Sequence, residues 1–541
     1  MFLQNVLYIY LYHFSNKITR VRRGLRLAER YDLIVIGAGN GGLMTACRAA
    51  RMGLKTLVIE QNNLPGGAAT SFVRGRFEFE ASLHEIPDFG EGDMRGELGR
   101  LFDELGINVE MLPIKNAFRY VVNSNGVNEL DVTFPHGKEA IMDFVSDNYP
   151  EDVSSMEKLF TAFEELLKGM GYLGVSKGNP DPEELNENYP GFVKIMSVSA
   201  GEFLRSTGMS QEMIDILSAY WPYQGGDIDT IDASRFLLML YGYLVKGPFV
   251  PKMRSHELSV AIMNRAVELG CEFIFDTEVT KILTKKGAVS GVEVDNGRIF
   301  EADAIASSAF PEIVYSKLID DTALVPKHEL KKTNARKYGF RSLCVYLGLD
   351  APPSEIGITD YTIFLSTSKD TKMLYEAAST RNADENEIDI CCLNNANPTC
   401  SPSGTTILTL TAAYTDDAWA DVTEENYFKV KREVADSMIE RVEKALSLNI
   451  RDHIEEIEIA TPITFARYMR SPQGAIYGYA SPRWDGMSSR TIAERTEPTV
   501  PGLFFIGGHN SSLAGYHPTY SSGSRTAYRI VSYIMGGGHY G

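Results

Sequence analysis

The clearest chemical pattern in the chain lies between residues 37 and 68. Gly37-Ala38-Gly39-Asn40-Gly41-Gly42 fits Gly-x-Gly-x-x-Gly. It follows the apolar run 31–37 (YDLIVIG) and opens the Ala- and Leu-rich stretch 39–52, while Glu60 closes the next apolar run, 55–60. Each part has a task. Gly37 permits a tight turn, Gly39 lets the backbone approach a pyrophosphate, and Gly42 lets a helix pack close to its strand. The N–H groups and partial positive charge of a helix start face phosphates. Glu60 accepts hydrogen bonds from a ribose diol, and its charge repels a 2′-phosphate. The spacing predicts an ADP-binding site built from Gly37, Gly39, Asn40, Gly41, Gly42 and Glu60, with Gln61 beside it.

Two further segments separate the candidate dinucleotides. Pro65-Gly66-Gly67-Ala68 can bring a second stretch of backbone to the pyrophosphate. At the far end, residues 501–508 (PGLFFIGG) read as a turn, a buried strand and glycines, and Ser521-Ser522-Gly523 is expected to open the last helix. A helix N-terminus there suits an isoalloxazine with developing negative charge. Together these favour FAD. No second Gly-x-Gly-x-x-Gly follows a strand, so no built-in pyridine-nucleotide site is expected, and the electron partner stays open.

His84, His256, His509 and His517 fall in segments expected near the flavin. A histidine near neutral pKa moves protons, although each serves equally as a structural hydrogen-bond partner. His509 and His84, with Tyr516, are the leading catalytic candidates. Arg467, Tyr468 and Tyr477 are candidates for lining a substrate tunnel, and Tyr516 and Tyr520 for flanking the flavin, against plain packing. No Ser/His/Asp constellation and no metal-ligand spacing stands out, so the chemistry is assigned to the cofactor.

The elements that position these residues follow from periodicity. Strands are predicted at 31–37 and 55–60, around a helix at 39–52. Met156, Leu159, Phe160, Phe163, Leu166, Leu167 and Met170 recur at helical spacing. Residues 150–250 read as mostly helical, broken near 179–190. A helix at 258–269 is stopped by Gly270. Strands follow at 272–283, 289–294 and 299–306, the last two joined at Asn296-Gly297. Runs 342–349 and 405–411 suggest strands of a second sheet. A long helix is expected at 424–446, a short strand at 503–506 and a final helix at 524–534. The nucleotide unit is therefore expected to be discontinuous, with a second domain inserted.

Bulk properties narrow the partners. The chain has 541 residues and a net charge of −18, which argues against nucleic acid, since phosphate binding needs clustered Lys and Arg. Six cysteines form no Cys-x-x-Cys pair and read as reduced thiols of a cytoplasmic protein. Residues 1–14 are apolar and aromatic, and Lys17, Arg20, Arg22, Arg23, Arg26 and Arg30 follow. The apolar part is shorter than the ~20 residues a membrane span needs. Two readings stand for this extension: a membrane-surface anchor on anionic lipid, or a segment without function.

The chain resembles the FAD-dependent family of phytoene desaturases, carotenoid cis–trans isomerases and retinol saturases, from about residue 31 to about residue 534. The resemblance is carried by DLIVIGAGNGGLMTACRAARMGLKTLVIE with PGGAATSF, by FEFEASLHEI, by EVTKIL and GVEVDNGRIFEADAIASSA, and by VYLGLD, NPTCSPSG and TPITFARYMRSPQGAIYG. It implies an α/β fold: a discontinuous Rossmann-like FAD-binding domain (30–95, 250–325 and 490–541) and an inserted substrate domain of antiparallel sheet plus helices (96–249 and 326–489), after the extension 1–29. It implies that the backbone at Val279 clasps the adenine, and that Gly507 and Gly508 lie at the flavin. Where relatives place an acid on the ribityl chain, this sequence has Gly507-Gly508-His509-Asn510, leaving Asn510 or His509 for that contact. Where many relatives have paired glycines, residues 250–256 (VPKMRSH) imply a different substrate or a remodelled flavin face. The implied function is an oxidoreductase acting on carbon–carbon double bonds of a long apolar unsaturated lipid by desaturation, saturation or isomerisation. The alternatives are a non-redox flavin-dependent isomerase or hydratase, and an escort-like lipid carrier.

Overall fold

The computed structural model describes residues 29–90, 92, 95–176, 179–415, 418–494, 498–509 and 513–536. The glycine motif sits where an all-apolar strand must turn into a helix. The strand Glu29–Ile36 is flanked by Thr56–Ile59 and Ile299–Ser307, both parallel to it. The full order is Glu272–Ile274, Thr56–Ile59, Glu29–Ile36, Ile299–Ser307, Ala288–Val294, Val279–Lys285, with Leu503–Phe505 also parallel on Ile299–Ser307. Leu33 and Val35 face the helix Asn40–Arg51, while Ile34 packs on the opposite face with Leu57 and Val292. Both faces are covered, which is why the strands read as continuous apolar runs. Each fully buried Leu, Val or Ile contributes about 1.5–3 kcal/mol.

A second seven-stranded sheet runs in the order Ile454–Ala460, Arg341–Leu349, Thr406–Tyr414, Ile388–Cys392, Thr362–Ser366, Phe118–Ser124, Val127–Phe134. It is antiparallel except where Thr362–Ser366 meets Phe118–Ser124. Alternation sorts its residues. Leu343, Val345, Leu408, Leu410, Ile388 and Ile390 pack with Val434, Met438, Ile439 and Val442 of the helix Tyr427–Leu446. Ser342, Cys344, Asp389, Thr411 and Ala413 point the other way, into a cavity. Trp221, Tyr220 and the helices Val153–Val175 and Ala233–Leu240 form a further apolar core with Phe118 and Phe134.

Several expectations shift. The run 272–283 is two strands rather than one: Glu272–Ile274 joins the parallel sheet and Val279–Lys285 the antiparallel part. Asp276, at φ +49°, turns the chain between them. The last helix is Tyr516–Ile534, so Ser521-Ser522-Gly523 lies inside it and Gly515 caps it. Leu98, Leu101, Phe102 and Leu105 of the helix Glu97–Leu105 pack into the nucleotide-side core, so that core extends past residue 96. Among the described residues no helix is long and apolar enough to cross a membrane. The extension 1–28 lies outside them.

Candidate functional site

A cavity of about 420 Å³ lies between the glycine loop and the inner face of the second sheet. It is lined by Gly37, Gly39, Asn40, Gly41, Gly42, Glu60, Gln61, Gly66, Gly67, Ala68, Val279, Gly507 and Gly508, all cofactor positions expected from sequence. Asn510 lies outside the described residues. Three glycine segments meet here. Gly39 and Gly66 bridge in parallel, and the Gly66 N–H donates to the Ala38 carbonyl at 2.8 Å. Gly66 and Gly67 have φ of +119° and +62°, conformations glycine adopts without a Cβ penalty. A Cβ on Gly42 would stand 2.0 Å from the Gly37 carbonyl oxygen, and one on Gly41 2.8 Å from the Gly507 nitrogen.

These residues fit a dinucleotide. The helix Asn40–Arg51 has no side-chain cap and no acid in its first turn, so its free N–H groups remain for an anion. Asn40 Oδ1 is buried with no hydrogen-bond partner, an atom a ligand group would satisfy. Glu60, 5% exposed, accepts from the Ala38 N–H at 2.7 Å and from the backbone and side chain of Asn62 at 2.8 and 3.0 Å. Its carboxylate is thereby fixed at the strand end. At the far side, the start of Tyr516–Ile534, whose N-cap Gly515 offers no side-chain hydrogen bond, contributes Gly515 and Tyr516 to the lining.

The three catalytic candidates also line the cavity. His84 lies between the Tyr223 hydroxyl (3.3 Å from Nδ1) and Thr411 Oγ1 (3.2 Å from Nε2). Burial pulls it down to about 4. His509 stacks on Phe310, with centroids 4.1 Å apart and planes at 9°, and burial brings it to about 4 as well. Both imidazoles are neutral at neutral pH, so the expectation of histidines titrating near neutrality is corrected by their burial. The Tyr516 hydroxyl meets Ser82 Oγ at 2.9 Å, and burial raises its pKa well above the usual phenol value.

Tyr468 and Tyr477 line the cavity, whereas Arg467, Tyr520, His256 and His517 do not. Tyr520 packs edge-on against Phe102 in the nucleotide-side core. His256 has a buried, unpartnered Nδ1. His517 lies against Asp88 and Glu97, at 3.7 and 3.8 Å, and its hydrogen bond draws Glu97 down to about 2. These three side chains form the one compact group with metal-ligand chemistry among the described residues, which sequence spacing does not reveal.

Sequence reasoning missed two acids. Glu85, 4% exposed, and Asp389, 7% exposed, both line the cavity. Glu85 accepts from Tyr223 OH at 2.9 Å and Thr362 Oγ1 at 2.7 Å, and burial raises it to about 7. Asp389 interrupts the otherwise apolar strand Ile388–Cys392. An acid at an alternate position of such a strand is the signal that points to it.

A sheet whose parallel strands carry a glycine loop, a second glycine stretch crossing that loop, and a second sheet closing one shared cavity are the features of an FAD-dependent flavoprotein. The chain belongs to the flavin containing amine oxidoreductase family, whose model matches residues 41–531. It is 24% identical to all-trans-retinol 13,14-reductase of Danio rerio, over 89% of this chain and 83% of the relative. It is also 24% identical to prolycopene isomerase 1 of an Oncidium hybrid cultivar, over 93% and 84%, and to 4,4'-diapolycopene oxygenase of a Methylomonas species, over 93% and 99%. The fold is shared with an oxidoreductase from Methanosarcina mazei at TM-score 0.61 and 17% identity, covering 92% of this chain and all of that one. These relatives match the family drawn from the sequence, and the protein is an FAD-dependent oxidoreductase or flavin-dependent isomerase.

Proposed function

We propose that this flavoprotein acts on a carbon–carbon double bond of a long, largely apolar, unsaturated chain of isoprenoid type. The observation that carries the reading is the shared cavity: the surface that fits FAD and the inner face of the second sheet line the same space. A chain lying against Cys344, Ala413 and Phe340 is thereby held beside the cofactor. The relatives' names, a retinol reductase, a prolycopene isomerase and a diapolycopene oxygenase, support the same substrate class.

Residues 39–42 and 66–68 would hold the pyrophosphate, Glu60 and Gln61 the ribose, and Val279 the adenine side. Gly507, Gly508 and the Gly515–Tyr516 helix start would serve the flavin end. FAD supplies the hydride-exchanging centre. His84, neutral and hydrogen-bonded to Tyr223 and Thr411, holds a proton-conducting contact to Glu85 through Tyr223. Tyr516 keeps its proton and is oriented by Ser82. The basic and aromatic extension 1–29 delivers the protein to a membrane surface, where such lipids reside.

The test is anaerobic. The flavin is reduced, excess reductant removed, and polyenes, retinoids and acyclic isoprenoids added one at a time. Return of oxidised-flavin absorbance with one lipid identifies reduction of that lipid. Rearranged double bonds without a colour change identify isomerisation. Bleaching of oxidised enzyme by a lipid identifies desaturation. If no lipid gives any of these, the reading fails.

A further inference from the structure

One part of the cavity lining does not match a plain hydrocarbon. Asp389 lines it and is 7% exposed. Its carboxyl makes no hydrogen bond with any described residue, and the charges acting on it are those of Glu387 and Glu85, both acidic. Near it stand Glu85, Tyr223 and Tyr477, and Tyr243 shares the same lining. Glu85 is partly satisfied by Tyr223 and Thr362. The neighbouring acid Glu387 takes Trp221 Nε1 at 2.8 Å and Ser366 Oγ. Glu387 keeps one unpartnered oxygen, Oε1, but does not line the cavity; Asp389 has neither oxygen paired with a described residue and faces the space where a ligand sits. A buried polar group costs free energy unless it is paired. A hydrocarbon end would leave this one unpaired and displace whatever water served it. Burial, then the charges of Glu387 and Glu85, hold its pKa well above the usual carboxylate range, so the carboxyl presents an O–H as well as a carbonyl oxygen. A hydroxyl or amino group, which both donates and accepts, would satisfy both.

We propose that the part of this cavity around Asp389 recognises an end group that donates and accepts hydrogen bonds, an alcohol or an amine, on the otherwise apolar substrate, with Asp389 as its hydrogen-bond partner and Glu85 beside it. The inference rests on the lipid reading above and sharpens it: an unsubstituted hydrocarbon polyene is discriminated against. The position of Asp389 follows from strand alternation. Ile388 and Ile390 face the core under the helix Tyr427–Leu446, so Asp389 must face the cavity. It sits opposite Thr411 in the register, next to the hydroxyl that holds His84.

The experiment uses the holoprotein and three matched probes: geranylgeraniol, geranylgeranylamine and the hydrocarbon of the same skeleton. Binding is read from the perturbation of the bound flavin's visible spectrum, which needs no turnover. At least one polar probe is expected to bind on the order of a hundredfold more tightly than the hydrocarbon. Which one binds identifies the group as alcohol or amine. Asp389→Leu is expected to abolish the preference while flavin content and hydrocarbon binding remain. Asp389→Asn, which keeps an acceptor oxygen and the volume, is expected to retain alcohol binding and lose amine binding. Equal affinity for all three probes, or loss of flavin from both variants, overturns the proposal and leaves the lipid reading standing. Silence with every probe overturns both.

Discussion

Glu85 has its carboxyl lifted to about 7 by burial, against an ordinary value of 4.5. Between those values the folded protein holds a proton that the unfolded chain has released, so stability falls as pH rises through that window and levels off above it. Glu85→Gln removes this contribution. Its melting temperature at about pH 8 is expected to exceed the parent's, with a stabilisation of up to about 3 kcal/mol, and its decline from about pH 5 to about pH 8 to be shallower. Glu387 is likewise raised to about 7, so the slope shrinks without vanishing. The two cavity histidines behave oppositely. His84 and His509, at about 4, place no inflection near neutrality. The pH profile of flavin reoxidation is therefore expected to keep its neutral inflection in His84→Gln and lose it in Glu85→Gln. The reverse result would place the titrating group on the imidazole.

At the level of elements, the helices Asn40–Arg51 and Tyr516–Ile534 meet in a close joint. A Cβ on Gly523 would lie 2.6 Å from the Gly41 carbonyl oxygen, and Thr45 Oγ1 already donates to the Gly523 carbonyl at 3.0 Å. Gly523→Ala is expected to wedge the helices apart, costing about 1–3 kcal/mol and lowering flavin retention through the displaced glycine loop. The flavin-to-protein absorbance ratio and a urea melt measure the two effects. The glycine loop itself was legible in the sequence because everything that makes it work is local: a buried strand, a turn and a helix start within residues 31–52. The two-strand split of 272–283 was not, because a left-handed turn at Asp276 carries no glycine to mark it. Ser521-Ser522-Gly523 resembled a helix opening because small polar residues favour both caps and close helix contacts. Here the contact decides, and the cap is Gly515. Nor could the sequence show that Glu85 and Asp389 meet, since that depends on a pairing across some three hundred residues.

At the scale of the molecule, the cavity belongs to neither sheet alone. A ligand that spans it ties two separately packed cores together. Saturating the protein with FAD at about a hundred times its Kd is expected to stabilise it by about 2.7 kcal/mol. Hydrogen-exchange protection is expected to rise in Thr406–Tyr414 as well as in Asn40–Arg51; a rise confined to the latter would show that the second sheet does not feel the cofactor. The strands of that second sheet also bear on how such a protein diversifies. Arg341–Leu349, Ile388–Cys392 and Thr406–Tyr414 each carry two independent records on alternate residues. Leu343, Ile390 and Leu410 answer to the core, while Ser342, Asp389 and Thr411 answer to whatever enters the cavity. The second record can be rewritten while the first is left intact. Lineages sharing this scaffold can therefore exchange one substrate for another in single steps, without passing through an unfolded ancestor.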